Sequence, residues 1–325
     1  MLPVGEKVMK KSLLDIICCP ECLETFSLLH AIEKGNEVIS GSLFCRKCNS
    51  QYPILEGLPV IMKNPGIMNR TKKSFGKQWE WQNENFFETD TIYGLGEKDE
   101  LHDFENIFNI KLHNLPGKFI LDAGCGCGRL TKNIGKVARN STVIGVDIGN
   151  GARIAYNKCK DIENIHILQC SLLNPPFRPT LFHYIWSEGV IHHTPDSFYT
   201  FKKLDSLLVK GGNLYLWLYP KYKFSPYRFA RDLLWKPYLL PLPLLYSLSW
   251  LFAISSYGVF RVHELLEGKE HRQKLKTVVF GFFDNLSPEF QHRHSKEEVV
   301  NWFISRKYHE IKITGDLGIV GRKEE

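Results

Sequence analysis

The chain has 325 residues, of which 43% are hydrophobic and 24% charged, and a formal net charge of +7. That length suits about two domains, and the composition is that of an ordinary soluble globular protein, with no internal repeat or low-complexity tail. The mild basic excess permits an anionic partner without arguing for one. Residues 1–11 carry charges and no apolar run before a small-residue cleavage site, so no signal peptide is expected.

The first motif is a pair of C-x-x-C knuckles, Cys19-Pro20-Glu21-Cys22 and Cys45-Arg46-Lys47-Cys48, with 22 residues between them. Each knuckle places two thiolates on one turn, and two knuckles make a tetrahedral four-cysteine zinc site. The gap leaves room for a hairpin around Gly35-Asn36. An iron-loaded knuckle or two redox pairs are the competing readings. Cys18 competes with Cys19 as a ligand, but only Cys19 sits in the C-P-x-C frame. Cys125, Cys127, Cys159 and Cys170 read as small buried or loop residues. Four ligating thiolates beside free thiols point to a reducing cytoplasm. The flanks Leu13-Leu14-Asp15-Ile16-Ile17 and Tyr52-Pro53-Ile54-Leu55-Glu56-Gly57-Leu58-Pro59-Val60 complete a module over 1–62. Residues 12 to 62 resemble the small zinc-ribbon protein that activates several RNA and protein methyltransferases. The resemblance implies structural zinc on Cys19, Cys22, Cys45 and Cys48, with the ribbon either docking a partner or bracing the next domain.

Residues 63–115 mix Trp79, Trp81, Phe86, Phe87 and Tyr93 with charges, which reads as one or two helices leaning over the following domain. Next, Ile120-Leu121-Asp122 is a short apolar strand ending in an acid, and Gly124-Cys125-Gly126-Cys127-Gly128 follows before a helix. Glycines there let the backbone approach a ligand closely. A dinucleotide loop wants G-x-G-x-x-G, whereas these glycines fall G-x-G-x-G with an acid two residues earlier. A second apolar strand, 142–147, ends in Asp147, 25 residues after Asp122, which is one strand-helix-strand unit later. A carboxylate there is placed to accept hydrogen bonds from ribose hydroxyls. Further strands are expected at 165–170, 184–187, 213–218, 308–313 and 317–321, and a helix at 296–306 with Ser295 as N-cap and Glu298 as its box partner.

The acid-glycine loop with its spaced Asp147 resembles the cofactor loop of class I S-adenosylmethionine (SAM) methyltransferases. Ser187-Glu188-Gly189-Val190-Ile191-His192-His193-Thr194-Pro195-Asp196 and Lys210-Gly211-Gly212 are similar to the type 11 subgroup of that family. The resemblance implies an α/β fold: a Rossmann-like, seven-stranded class I methyltransferase sheet over 116–325, behind the zinc ribbon and a 63–115 cap, with a helical insertion at 221–275. One of the last two strands would be antiparallel. It implies SAM as cofactor, held by Asp122, Gly124, Gly126, Gly128, Asp147, Ser171 and Glu188. Ser171 stands where many relatives have an aspartate that contacts adenine.

Methyl transfer chiefly needs alignment of donor and acceptor. A hydroxyl or acidic carbon acceptor also needs a base. His192 and His193 follow strand four at the carboxyl edge and are the candidate catalytic residues, with Glu188 a second candidate and Tyr219 lining the acceptor pocket. The stretch 237–260 holds no charge, and Lys236 precedes it. By length it could span a bilayer, but Pro237, Pro241 and Pro243 argue for a broken helix acting as a lid, or for contact with a membrane surface. A small-molecule, glycan or lipid-linked acceptor is therefore expected, in a cytoplasmic protein or one peripheral at the membrane. The alternative is RNA gripped by the ribbon and by Arg46, Lys47, Lys72 and Lys73.

Overall fold

The structure, a computed structural model, describes residues 8–63, 66, 68–84, 97–221, 236–266 and 275–325. Phe86, Phe87 and Tyr93 lie outside the described residues. The ribbon segment holds β1 (Met9–Lys10), β2 (Ser27–Lys34), β3 (Glu37–Phe44), β4 (Gln51–Leu55) and β5 (Leu58–Ile61). The β2–β3 hairpin pairs Lys34 with Glu37 around Gly35, whose φ is 60°. This is the expected turn, and glycine supplies its positive φ without strain. Next come the helices α1 (Asn69–Asn83) and α2 (Glu97–Phe108).

The larger domain alternates β6 (Phe119–Ala123), α3 (Arg129–Val137), β7 (Thr142–Asp147), α4 (Gly151–Cys159), β8 (Ile165–Cys170), β9 (Phe182–Glu188), α5 (Ser197–Leu207) and β10 (Leu208–Trp217). It continues through α6 (Leu242–Leu266), α7 (Leu275–Leu286), α8 (Lys296–Ser305), β11 (Tyr308–Thr314) and β12 (Gly318–Lys323). Seven strands run in the order β8-β7-β6-β9-β10-β12-β11, as the class I methyltransferase fold requires. β8 through β10 pair in parallel, and β12 is antiparallel to both its neighbours. The parallel strands are buried on both faces, which is why they read as continuous apolar runs. Leu121, Ile144, Leu168 and Ile185 pack on one side with Phe201 and Phe303. Ile120, Val143, Ile167 and Trp186 pack on the other with Phe104, Ile134 and Ala155.

The ribbon is continuous with this sheet. β5 pairs in parallel with β8, Val60 opposite Gln169 and Ile61 opposite Cys170. Lys10 Nζ donates to the carbonyls of Ile162, Glu163 and Ile165, and Tyr156 Oη to Val8, so α4 and the loop after it are also tied to the ribbon. The module therefore braces the domain and closes one sheet edge, which would otherwise present unpaired backbone groups.

Two local expectations change. α6 is one unbroken helix from Leu242 to Leu266. Pro241 precedes it and Pro243 falls in its first turn, where a missing N–H costs nothing. At α8, Ser295 Oγ accepts from Glu298 N at 3.1 Å, but the Glu298 carboxylate turns to His294 Nδ1, 2.8 Å away, so only half of the capping box forms. No helix among the described residues is long and apolar enough to cross a membrane.

Candidate active site and metal centre

The Sγ atoms of Cys19, Cys22, Cys45 and Cys48 all lie within 4.8 Å of one another. The closest pairs are Cys19–Cys48 at 3.5 Å and Cys22–Cys45 at 3.4 Å. A tetrahedron with Zn–S bonds near 2.3 Å has edges of about 3.8 Å, so a four-thiolate zinc site fits this cluster. Cys18 stands apart from them: its amide donates to the Pro176 carbonyl at 2.9 Å, linking the ribbon to the loop after β8.

The sheet brings the sequence-predicted cofactor residues to the carboxyl edge of β6, β7 and β9. Asp122 is buried and accepts from Thr131 Oγ1 at 2.5 Å. Burial pushes its carboxyl up to about 7, against the pull of that hydrogen bond. Asp147 Oδ1 accepts from Gly149 N at 2.7 Å and Oδ2 from Gly126 N at 3.2 Å, so the second acid holds the glycine loop in shape. Burial raises its pKa as well. Glu188 ends β9 and opens to solvent; the protein packed round it, then the charge of Glu100, push its carboxyl up to about 7. Ser171 Oγ accepts from Leu173 N at 3.2 Å and so shapes the turn after β8.

The loop's spacing has steric reasons. Gly126 has φ +52°, and a Cβ there would stand 2.4 Å from the Trp79 indole. Gly128 has φ +75° and faces Ala155 at 2.6 Å from such a Cβ. α1 therefore lies across the cofactor loop. One turn earlier, its Phe75 ring meets His193 with centroids 4.7 Å apart. The same helix thus touches both the glycine loop and the region after β9. The buried acid, the glycine cradle and the second acid fit the amino-acid and ribose parts of SAM. When bound, SAM supplies an electrophilic methyl group on a sulfonium.

His192 and His193 sit in a short 3₁₀ turn after β9. His192 is fully buried and stacks on Tyr219 at 4.0 Å and 29°. Neither of its ring nitrogens has a hydrogen-bond partner among the described residues. Burial holds its pKa well below the ordinary histidine value, so it stays neutral. His193 Nδ1 donates to the Phe290 carbonyl at 2.8 Å. Tyr219 donates its hydroxyl to Asp284 Oδ2 at 2.9 Å.

Asp284 and Gln78 were missed by sequence reasoning. Both are buried at this site, one from α7 and one from α1. The sequence signal for Asp284 was an acid within the largely apolar run Val278 to Leu286, and Gln78 carried none.

Residues 120–212 match the family model of the methyltransferase domain, and residues 10–57 that of the Trm112p-like protein. The chain joins a Trm112p-like zinc ribbon to a class I methyltransferase domain. The methyltransferase domain is similar to the demethylmenaquinone methyltransferase of Staphylococcus saprophyticus, 33% identical over 98 residues, which is 30% of this chain and 42% of that protein. It is equally similar, 33% over 104 residues, to an uncharacterized protein of a Synechococcus strain, covering 31% of this chain and 25% of that one. The chain spans less than half the length of these curated relatives. Among solved structures, a SAM-dependent methyltransferase from Aquifex aeolicus aligns at 13% identity and TM-score 0.40, over 69% of this chain and 90% of that one. A chain from the Haloferax volcanii Trm112 methyltransferase activator complex aligns at 13% and 0.47, over 78% and 97%.

Proposed function

We propose that the protein transfers a methyl group from SAM to a small-molecule, glycan or lipid-linked acceptor bound under α1, α6 and α7. The observation that carries this reading is α1 itself, which covers the glycine loop with Trp79 and the acceptor side with Phe75. Asp122 and the glycines hold the amino-acid end of SAM, Asp147 the ribose, and Ser171 and Glu188 the flanks. His192 and His193 touch the acceptor and orient it in line with the methyl carbon.

The helical insertion serves as the lid. Trp81 of α1 packs on Phe283 at 4.9 Å and Tyr246 at 4.8 Å, which seats α7 and α6 above the site. The outer face of α6 leaves Leu244, Leu251 and Ile254 exposed, which favours an apolar acceptor or one presented at a lipid surface. RNA as acceptor has less support. Arg46 and Lys47 are exposed on the ribbon, but that surface has no stacked aromatics beside them among the described residues. The functional units are 1–62, 63–115 and 116–325.

The test is calorimetric titration with SAM, followed by label transfer from methyl-tritiated SAM into a fractionated extract of the source cell, with Asp147→Ala as blank. SAM binding lost in the blank, and counts in the lipid or small-molecule fraction, are expected. Absence of SAM binding, or counts in RNA, would sink the assignment.

A further inference from the structure

Several buried polar atoms at this site have no hydrogen-bond partner among the described residues: Asp284 Oδ1, Gln78 Oε1 and both ring nitrogens of His192. All three side chains are more than nine-tenths buried. Leaving such buried groups without a partner is costly. Asp284 Oδ1, Gln78 Oε1 and the unprotonated nitrogen of neutral His192 are acceptors, and together they describe a place made for a hydrogen-bond donor from outside the chain. The Tyr219 hydroxyl fixes Asp284 Oδ2, which leaves Oδ1 as the carboxylate's open side. The Gln78 amide lies near enough to favour the ionised form as well.

Resting on the methyltransferase reading above, we infer that Asp284 binds the acceptor's hydroxyl through Oδ1 and takes its proton, with Tyr219 as the positioning residue. The O–H bond breaks and the proton passes to Asp284 as the oxygen bonds the methyl carbon. The carbon–sulfur bond breaks with its electron pair left on sulfur. His192 is a poor proton acceptor because its burial disfavours the imidazolium. A carboxylate that burial raises to about 6 is ionised at neutral pH yet basic enough to serve. The groups around the pair favour a neutral acceptor over an ammonium. Arg293 lies over the Tyr219 ring at 4.9 Å, and half-buried Arg70 donates to the Ser287 carbonyl at 3.3 Å on the next turn of the chain. His193, His292 and His294 are the further titratable neighbours among the described residues.

The experiment compares wild type, Asp284→Asn and Tyr219→Phe. Each is first titrated with SAM. A wild type that does not bind SAM refutes the methyltransferase reading, whereas intact SAM binding isolates the present one. Label transfer to the cell extract is then followed from pH 5 to 9. The expected result is a rate that falls below about pH 6 in wild type, and a loss of about 100-fold in Asp284→Asn with SAM affinity unchanged. Tyr219→Phe removes a hydrogen bond to the ionised carboxylate, so its acid limb moves to higher pH. Wild-type turnover in Asp284→Asn, or label in a base that extracts into acid, overturns the inference. An acceptor-free reading comes from the carbon-13 carboxyl resonance of Asp284 with S-adenosylhomocysteine bound. A midpoint near 6 that rises in Tyr219→Phe supports it, and a midpoint in the ordinary aspartate range overturns it.

Discussion

At the scale of single residues, Gly126 shows how closely cofactor loop and cap depend on each other. Its φ of +52° disfavours any side chain, and its missing Cβ is the space that Trp79 fills. Gly117 provides the control, since it has φ +67° but a Cβ added there would meet nothing within 4 Å. Both alanine variants carry the backbone penalty, roughly 1 kcal/mol. Only Gly126→Ala also displaces the indole from the loop proposed to hold SAM. Gly126→Ala is therefore expected to weaken SAM binding by at least about 10-fold, or ~1.4 kcal/mol, and Gly117→Ala to leave it unchanged. Isothermal titration of both variants checks this, and equal affinities would remove Trp79 from the site. Asp122 teaches a related point. Its place at the end of an apolar strand was plain in the sequence, but its partner Thr131 was not, because that contact depends on how α3 packs back on β6.

At the scale of elements, the acid-tipped strands were legible because both faces are buried and each run ends at the carboxyl edge. The start of β10 was not. It begins at Leu208 instead of residue 213, with an irregularity in its pairing to β9 before Asn213, and Gly211 in that stretch has φ +70°. Sequence signals for a turn there compete with a strand that simply bulges through it. The role of β5 was equally hidden, since a four-residue strand shows its partner only in three dimensions. Ile61 is buried at the β5–β8 seam. Ile61→Ala is expected to cost about 2–5 kcal/mol. Urea unfolding followed by intrinsic tryptophan fluorescence, which reports only on residues beyond the ribbon, checks the claim. A shift of the whole transition shows that ribbon and sheet unfold together, and an unchanged midpoint shows a separable ribbon.

At the scale of the whole molecule, the carboxyl edge gathers acids that the fold keeps from ionising easily. Burial raises Asp122 to about 7, and Glu188, near Glu100, also reaches about 7. Folded pKa values above the unfolded ones, near 4, mean that the folded state binds extra protons between about pH 4 and 7. The stability these two groups contribute is therefore present at low pH and is lost as pH rises through 7. Buried His166 and His192 act in the opposite sense: held neutral in the fold, they weaken it as pH falls below the ordinary histidine value. Above pH 7 the histidines no longer contribute, and the acids stand ionised and crowded. A ligand carrying a sulfonium and an ammonium relieves that crowding most where the acids are fully charged. The rise in melting temperature on adding SAM is thus expected to be larger at pH 8 than at pH 6, and the difference to shrink in Asp122→Asn. Thermal scans with and without SAM at the two pH values decide it. An equal or larger rise at pH 6 would mean that the acids meet SAM in their protonated forms and act as hydrogen-bond donors there.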